Sequence, residues 1–205
     1  MNLPNKLSIL RICLVPLFVV AYFLPYHWGS YVAVGLFILA AATDFLDGYV
    51  ARKYHMITDL GKLLDPIADK ILVCAALFCI VATNPLQFST YKWAANFGVI
   101  FLAVGATIII ARELLISAVR QIAASKGIVV SANMFGKVKT VCQDVALPML
   151  VFYNAACVAA EGVNETTLFW DVWWWSSVFM FGVAVIFTIA SGIVYLVENK
   201  KVFAN

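Results

Sequence analysis

Long apolar runs separated by short polar segments occur along the whole chain. Each run holds about 20 residues, which is the length a helix needs to cross the hydrocarbon core of a bilayer. The pattern predicts an all-α membrane protein, a six-transmembrane-helix bundle, with spans near 7–25, 30–52, 63–83, 94–124, 137–159 and 172–198. An even number of spans places both termini on one side of the membrane.

The composition excludes a water-soluble globular protein. The chain is 64% apolar and only 12% charged, whereas about a quarter of the residues of an ordinary globular protein are charged. Its apolar residues are contiguous, as from Gly98 to Ile110, so the alternating pattern of an outer-membrane β-barrel is also excluded. With 205 residues and six spans there is no room for a soluble domain, and we expect residues 1–205 to form one membrane domain.

Lysine and arginine predict the orientation of the bundle. Thirteen of the fourteen cationic residues fall at the same ends of the predicted spans, and only Lys92 falls at the opposite end. By the positive-inside rule these ends, both termini and any polar cavity between them face the cytoplasm. Trp170, Trp173, Trp174 and Trp175 lie at the opposite end, where an aromatic belt is expected. The fourth segment is unusually long, and its part beyond Arg112 is expected to project into the cytosol.

Five of the eleven acidic residues occupy one short stretch, at Asp44, Asp47, Asp59, Asp65 and Asp69. A carboxylate at the bilayer centre costs about 2.5–3.5 kcal/mol, so four uncompensated ones would cost on the order of 10 kcal/mol. Asp44 and Asp47 are spaced i,i+3 on one helix, and Asp65 and Asp69 are spaced i,i+4 on the next. Each pair therefore shares one helical face, and two facing pairs would form a cage of carboxylate oxygens.

Such a cage suits Mg²⁺ or Mn²⁺, and four carboxylates balance the charge of two divalent ions. The chain has only two histidines, His27 and His55, which are too few for a histidine-rich zinc or iron centre. The alternative is a set of ion pairs between the carboxylates and nearby cations, which would need no metal. The cations concerned are Arg52, Lys53, Lys62 and Lys70.

The residues between the carboxylates indicate a phosphate ligand. Small residues on the carboxylate face let a bulky ligand approach the backbone, and the guanidinium of Arg52 offers a fork of donors that matches phosphate oxygens. From Asp44 to Asp69 the segment reads D-x2-D-G-x2-A-R-x8-G-x3-D-x3-D. This array is suited to a metal-bridged pyrophosphate.

With these eight positions the chain resembles the CDP-alcohol phosphotransferase family, membrane enzymes that displace CMP from a CDP-linked alcohol with the hydroxyl of a second alcohol. The resemblance implies a six-helix bundle with a polar cavity open to the cytoplasmic leaflet, usually as a homodimer, in a bacterial inner or plasma membrane. It implies two metal ions held by Asp44, Asp47, Asp65 and Asp69. Asp69 would also be the general base. The donor lipid CDP-diacylglycerol would bind at Asp47, Gly48, Arg52, Thr58 and Gly61.

Later motifs resemble the branch of the family that acts in phosphatidylglycerol and cardiolipin biosynthesis. They are the opening Asn-Leu-Pro-Asn with Arg11, the stretch Ala111-Arg112-Glu113, Arg120, and Gly136-Lys137-Val138-Lys139-Thr140. That branch implies sn-glycerol 3-phosphate as acceptor, with its phosphate bound by Arg112, Arg120, Lys137 and Lys139. Alternatively, these cations are anchors for anionic lipid head groups.

Other functions remain open on the sequence alone. The nearest alternative is the same chemistry with inositol phosphate, serine or phosphatidylglycerol as acceptor. A cation transporter would also place carboxylates inside a membrane, but it gains nothing from the guanidinium of Arg52 beside its ion path. A prenyl-diphosphate enzyme would bind magnesium and diphosphate too, although its acidic residues are spaced differently. No nucleic-acid partner is expected.

Overall fold

The computed structural model describes residues 3–24, 27–54, 59–84, 92–126, 134–159 and 168–199. All the regular elements in these ranges are α-helices. They are α1 (Leu3–Phe23), α2 (His27–Tyr54), α3 (Asp59–Thr83), α4 (Lys92–Ser125), α5 (Met134–Ala159) and α6 (Leu168–Glu198). The predicted all-α, six-helix architecture is confirmed.

The observed helices begin two to four residues before the predicted spans and end within two residues of them. Hydropathy detects the part of a helix that is apolar enough for lipid, whereas the backbone hydrogen bonds continue into more polar residues. α4 is the longest helix at 34 residues, or about 51 Å, against a hydrocarbon core of about 30 Å. Projection of its end into the cytosol stays a prediction.

Consecutive helices run in opposite directions. α1 packs against α2 and α3, α5 packs against α2 and α6, and α4 packs against α3 and α6. Tyr22 and Thr83, near the ends of α1 and α3, share a 2.9 Å hydrogen bond, and the Phe18 and Phe37 rings meet with centroids 5.7 Å apart. The starts of α1, α3 and α5 therefore lie at the same end of the bundle as the ends of α2, α4 and α6. We call this the polar end.

The outside of the bundle is apolar, as expected for a membrane protein. Phe78, Phe179 and Ile186 are each at least 65% exposed. The buried hydroxyls of Thr188 and Ser177 donate to carbonyls one turn back in their own helix at 2.6 and 2.8 Å, which is what a medium without water requires. In the described ranges, three helices are long and apolar enough to cross a membrane, through Lys6–Phe23, Phe97–Ser125 and Phe169–Glu198.

Within their described side chains, α2 and α3 carry the shorter apolar stretches Tyr31–Thr43 and Lys70–Thr83. The tryptophans only partly match the expected aromatic belt. Trp174 is buried, and Trp173 donates to the Met149 carbonyl of α5 at 3.2 Å, because neighbouring positions on a helix point about 100° apart and cannot all face lipid.

Candidate active site

The carboxylate positions lie at the polar end, on α2 and α3. Asp44 is one turn beyond buried Ala40, and Asp47 is one turn beyond buried Thr43, so both positions continue the core-facing register of α2. On α3, position 69 precedes buried Leu72 by three residues and position 65 precedes buried Ala68 by three. Each of the four positions thus lies one turn from a buried residue, on two helices that contact each other.

The side chains of the motif lie outside the described residues, as does Thr58 altogether. This applies to Asp44, Asp47, Gly48, Arg52, Gly61, Asp65 and Asp69. Their predicted roles as metal ligands, base and CDP-lipid site remain predictions. The donor set fits Mg²⁺ or Mn²⁺, which prefer carboxylate oxygens. Among the side chains that the structure does describe, no cluster of metal-binding groups occurs.

Arg11 joins α1 to the motif helix. Its side chain is fully buried, and its Nε donates to the Ala40 carbonyl at 3.2 Å. Thr43 Oγ1 donates to the same carbonyl at 2.7 Å. Ala40 lies one turn before Asp44, so a fixed positive charge is placed at the start of the acidic segment of α2. A buried guanidinium needs compensating groups nearby, and the Ala40 carbonyl is one of them.

A cavity opens between α3, α4 and α5 at the polar end. It is small, with a volume of about 50 Å³, and it is open to the surface. Lys70, the residue that directly follows Asp69 in α3, lines it. The complete lining is Lys70, Val73, Cys74, Ile110, Glu113, Leu114, Lys139, Thr140, Gln143 and Asp144.

Glu113 holds two cations together beside this cavity. Its Oε1 accepts a hydrogen bond from Lys139 Nζ of α5 and another from Arg112 Nη1 at 3.1 Å. The Lys139 side chain is only 4% exposed and that of Glu113 20%. We call Arg112, Glu113 and Lys139 the charge cluster. It carries two positive charges and one negative charge, and the cavity wall beside it holds two lysines, Lys70 and Lys139, and two carboxylates, Glu113 and Asp144.

The predicted acceptor residues are not all in one place. Lys139 lines the cavity, whereas Arg112 points toward α6, where a Cβ on Gly192 would lie 3.4 Å from Arg112 Cγ. The buried Arg112 Nε has no hydrogen-bond partner in the described part of the chain. Arg120 and Lys137 are exposed and do not line the cavity. The phosphate-binding role of all four cations stays a prediction, and Lys139 is the one on the cavity wall.

Sequence reasoning gave no role to Glu113 or Gln143, and it treated Lys70 only as an ion-pair candidate. Glu113 stood inside a motif used for the resemblance, and an acidic residue deep in an apolar segment is itself a signal of a polar contact. Gln143 had no such signal, because one amide in a helix is common. Only packing of α5 against α3 and α4 shows that it faces the cavity.

Comparison with known proteins decides the family. The sequence profile described as CDP-alcohol phosphatidyltransferase matches residues 1–190. The chain belongs to this family. Its members generally depend on a divalent metal, in agreement with the carboxylate motif.

Relatives of this CDP-alcohol phosphatidyltransferase family member include named enzymes. The CDP-diacylglycerol--glycerol-3-phosphate 3-phosphatidyltransferase of Bacillus subtilis (strain 168) is 38% identical, covering 97% of this chain and 95% of that protein. The protein of the same name from Sodalis glossinidius (strain morsitans) is 34% identical, covering 84% and 91%. The cardiolipin synthase (CMP-forming) of Oryza sativa subsp. japonica is 40% identical, covering 82% of this chain and 50% of its own length.

Proposed function

We propose that the protein transfers the phosphatidyl group of CDP-diacylglycerol to sn-glycerol 3-phosphate and releases CMP. The observation that carries this proposal is the match to the Bacillus subtilis enzyme, which runs along 97% of this chain and 95% of that protein. Because both chains are covered almost completely, the likeness includes the acceptor half of the molecule as well as the carboxylate motif. The product is phosphatidylglycerophosphate, and residues 1–205 act as one membrane domain.

The donor lipid binds along the motif. Asp44, Asp47, Asp65 and Asp69 hold the divalent ions, Mg²⁺ or Mn²⁺ and two in number. The bound ions neutralise the diphosphate and the charge that develops on its oxygens. Asp47, Gly48, Arg52, Thr58 and Gly61 receive the cytidine diphosphate. Support comes from helical spacing, because each of the four positions lies one turn from a residue that is buried in α2 or α3.

Asp69 is the proposed base because it is the last carboxylate of the motif and directly precedes Lys70, which lines the cavity. Its carboxylate takes the proton from the primary hydroxyl of glycerol 3-phosphate. That oxygen forms a bond to the lipid-side phosphorus, while the bond from this phosphorus to the bridging oxygen breaks and CMP leaves. Lys70, the next residue of α3, lines the cavity, so an acceptor bound there lies within one residue of the base along the helix.

The charge cluster attracts the phosphate of the acceptor. Lys139 offers an ammonium group on the cavity wall, and Glu113 fixes its position. With two cations sharing one carboxylate, the cluster itself has a net positive charge beside the cavity. Arg120 and Lys137, on the exposed surface near the polar end, are proposed to guide the anion toward the cavity by charge alone.

A cardiolipin-forming reaction is the second candidate, because the rice relative with that name is 40% identical to this chain. It would use phosphatidylglycerol as acceptor, whose phosphodiester carries one negative charge and two acyl chains. The small cavity, with Lys70 and Lys139 in its wall, favours glycerol 3-phosphate. We further propose a homodimer in a bacterial inner membrane, with both termini and the cavity facing the cytoplasm, as the distribution of lysine and arginine predicts.

An acceptor panel tests the function. Purified protein is supplied with CDP-diacylglycerol, Mg²⁺ and one acceptor at a time: glycerol 3-phosphate, phosphatidylglycerol, inositol phosphate or serine. CMP release and the lipid product are measured. We expect release with glycerol 3-phosphate. Faster release with phosphatidylglycerol would establish the second candidate, and no release with any acceptor would remove both.

A further inference from the structure

Gln143 has a buried side-chain amide on the cavity wall, and this amide has no role in the reaction proposed above. The residue is 3% exposed and lies on α5, one turn after Lys139. Its Oε1 is buried and has no hydrogen-bond partner among the residues that the structure describes. Because an unsatisfied buried acceptor is costly, it marks a place where a ligand or a water donates a hydrogen bond.

The chemistry of the neighbouring groups restricts the class of ligand that can bind here. An amide oxygen accepts hydrogen bonds, so it does not pair with phosphate oxygens, which are acceptors as well. Lys139, one turn away and about 6 Å along the helix axis, supplies the donor for a phosphate. A ligand that fits both groups carries a phosphate at one end and a hydroxyl a few bonds away. Polyol phosphates have this arrangement.

We infer that Gln143 binds the secondary hydroxyl of the acceptor and selects for a polyol phosphate that carries one. This inference rests on the proposed function. The primary hydroxyl of glycerol 3-phosphate has to lose its proton, and an amide is no base at neutral pH, so Gln143 serves the hydroxyl that does not react. An acceptor without that hydroxyl leaves the amide oxygen unsatisfied and is rejected.

The test compares two acceptors that differ only in this hydroxyl, glycerol 3-phosphate and 3-hydroxypropyl phosphate. The full-length enzyme, CDP-diacylglycerol and Mg²⁺ are used, and kcat/KM is obtained from CMP release. For the unmodified enzyme we expect a preference for glycerol 3-phosphate of about tenfold or more. Gln143→Met, similar in shape but without the amide, should lower kcat/KM for glycerol 3-phosphate by about tenfold and leave the value for the analogue within about twofold.

Two further measurements separate binding from a structural role. The KM for CDP-diacylglycerol should not change in Gln143→Met. Val141→Leu, an exposed position on the same helix, should keep the full preference between the acceptors. A preference that Gln143→Met leaves intact, or an equal loss with both acceptors, would overturn the role of Gln143, as would an unmodified enzyme that does not discriminate. Release of CMP with neither acceptor would instead remove the proposed function and this inference with it.

Discussion

Two regions of α4, centred eight residues apart, are built on opposite principles. At Gly105 the helix meets α6 so closely that a Cβ would lie 2.5 Å from the Phe181 ring, which packs edge-on against Phe101 with centroids 5.5 Å apart. At Glu113, about 12 Å along the axis, the same helix turns a carboxylate toward Lys139 and borders a cavity. The region at Gly105 has no room for an additional side-chain atom, whereas the region at Glu113 carries charge and borders a cavity.

The difference follows from what each region must satisfy. Between apolar helices in a bilayer, association depends on close contact and small residues, so the α4–α6 interface is dense. At the polar end, buried charges need partners, and groups that bind a substrate have to leave room for it. In α5, Pro148 removes one backbone hydrogen bond beside the cavity. Its nitrogen carries no hydrogen to donate to the carbonyl of Asp144, which lies in the turn that lines the cavity. Stability and chemistry are therefore separable along the helices.

Removing the metal should have the largest effect on activity, and this effect should arise at the polar end. Excess chelator is expected to abolish CMP release, because four carboxylates without ions repel a diphosphate, and added Mg²⁺ or Mn²⁺ should restore it. Thermal unfolding of the purified protein, followed by circular dichroism, should change far less, since the close contact of α4 with α6 at Gly105 and Phe181 involves no charged group. Full turnover in chelator would contradict the two-metal proposal.

Asp69→Asn should lower kcat by about 10²–10⁴-fold, the contribution of a positioned base. Binding of CDP-diacylglycerol should survive at raised metal concentration, because three carboxylates remain. Single-turnover CMP release and a separate lipid-binding assay distinguish the two effects. A variant with nearly normal kcat would assign the base to another residue.

Glu113→Gln should damage both stability and acceptor binding, because the charge cluster lies where the two regions meet. Removing one partner of a buried ion pair costs about 3–5 kcal/mol, and Lys139 would then be a buried, uncompensated cation. The measurement is the thermal midpoint together with the KM for glycerol 3-phosphate. In the double variant with Lys139→Gln, stability should partly return while the KM stays high. If Glu113→Gln is as stable as the unmodified protein, the charge cluster does not link stability to acceptor binding.

Gly105→Ala should destabilise the bundle by about 1–3 kcal/mol through overpacking against Phe181. Gly182→Ala is the matched control on the facing helix, since the nearest atom to its added Cβ is Phe101 Cζ at 3.8 Å. The KM values of folded Gly105→Ala enzyme should be unchanged, because the interface makes no contribution to the cavity. If both alanine variants unfold at the same temperature, the close approach at Gly105 has no energetic consequence.

Arg120→Ala should have the smallest effect, about threefold or less on the KM for glycerol 3-phosphate, because an exposed charge acts through solvent. Lys139→Met should raise the same KM at least tenfold, and the KM for CDP-diacylglycerol should move little in either variant. Raising the salt concentration should remove the Arg120 effect and leave most of the Lys139 effect. Equal effects of the two substitutions would place the phosphate outside the cavity.

Much of this protein is determined by the sequence alone. Continuous apolar runs predict six helices, because lipid requires each segment to satisfy its own backbone. The motif from Asp44 to Asp69 and its spacing led to the correct family, since carboxylates in an apolar segment are too costly to occur without a function. Helical spacing even shows that each acidic pair shares a face.

Only the tertiary structure decided which cations share a carboxylate and which groups face the cavity. Arg112, Lys137, Lys139 and Arg120 look alike in sequence, but packing of α5 and α6 against α4 buries Lys139 on Glu113 and leaves Arg120 and Lys137 exposed. Only the tertiary structure also shows that Gln143 Oε1 has no hydrogen-bond partner among the described residues. Contacts between distant segments depend on how helices pack, and periodicity within one helix carries no information about its neighbour's register.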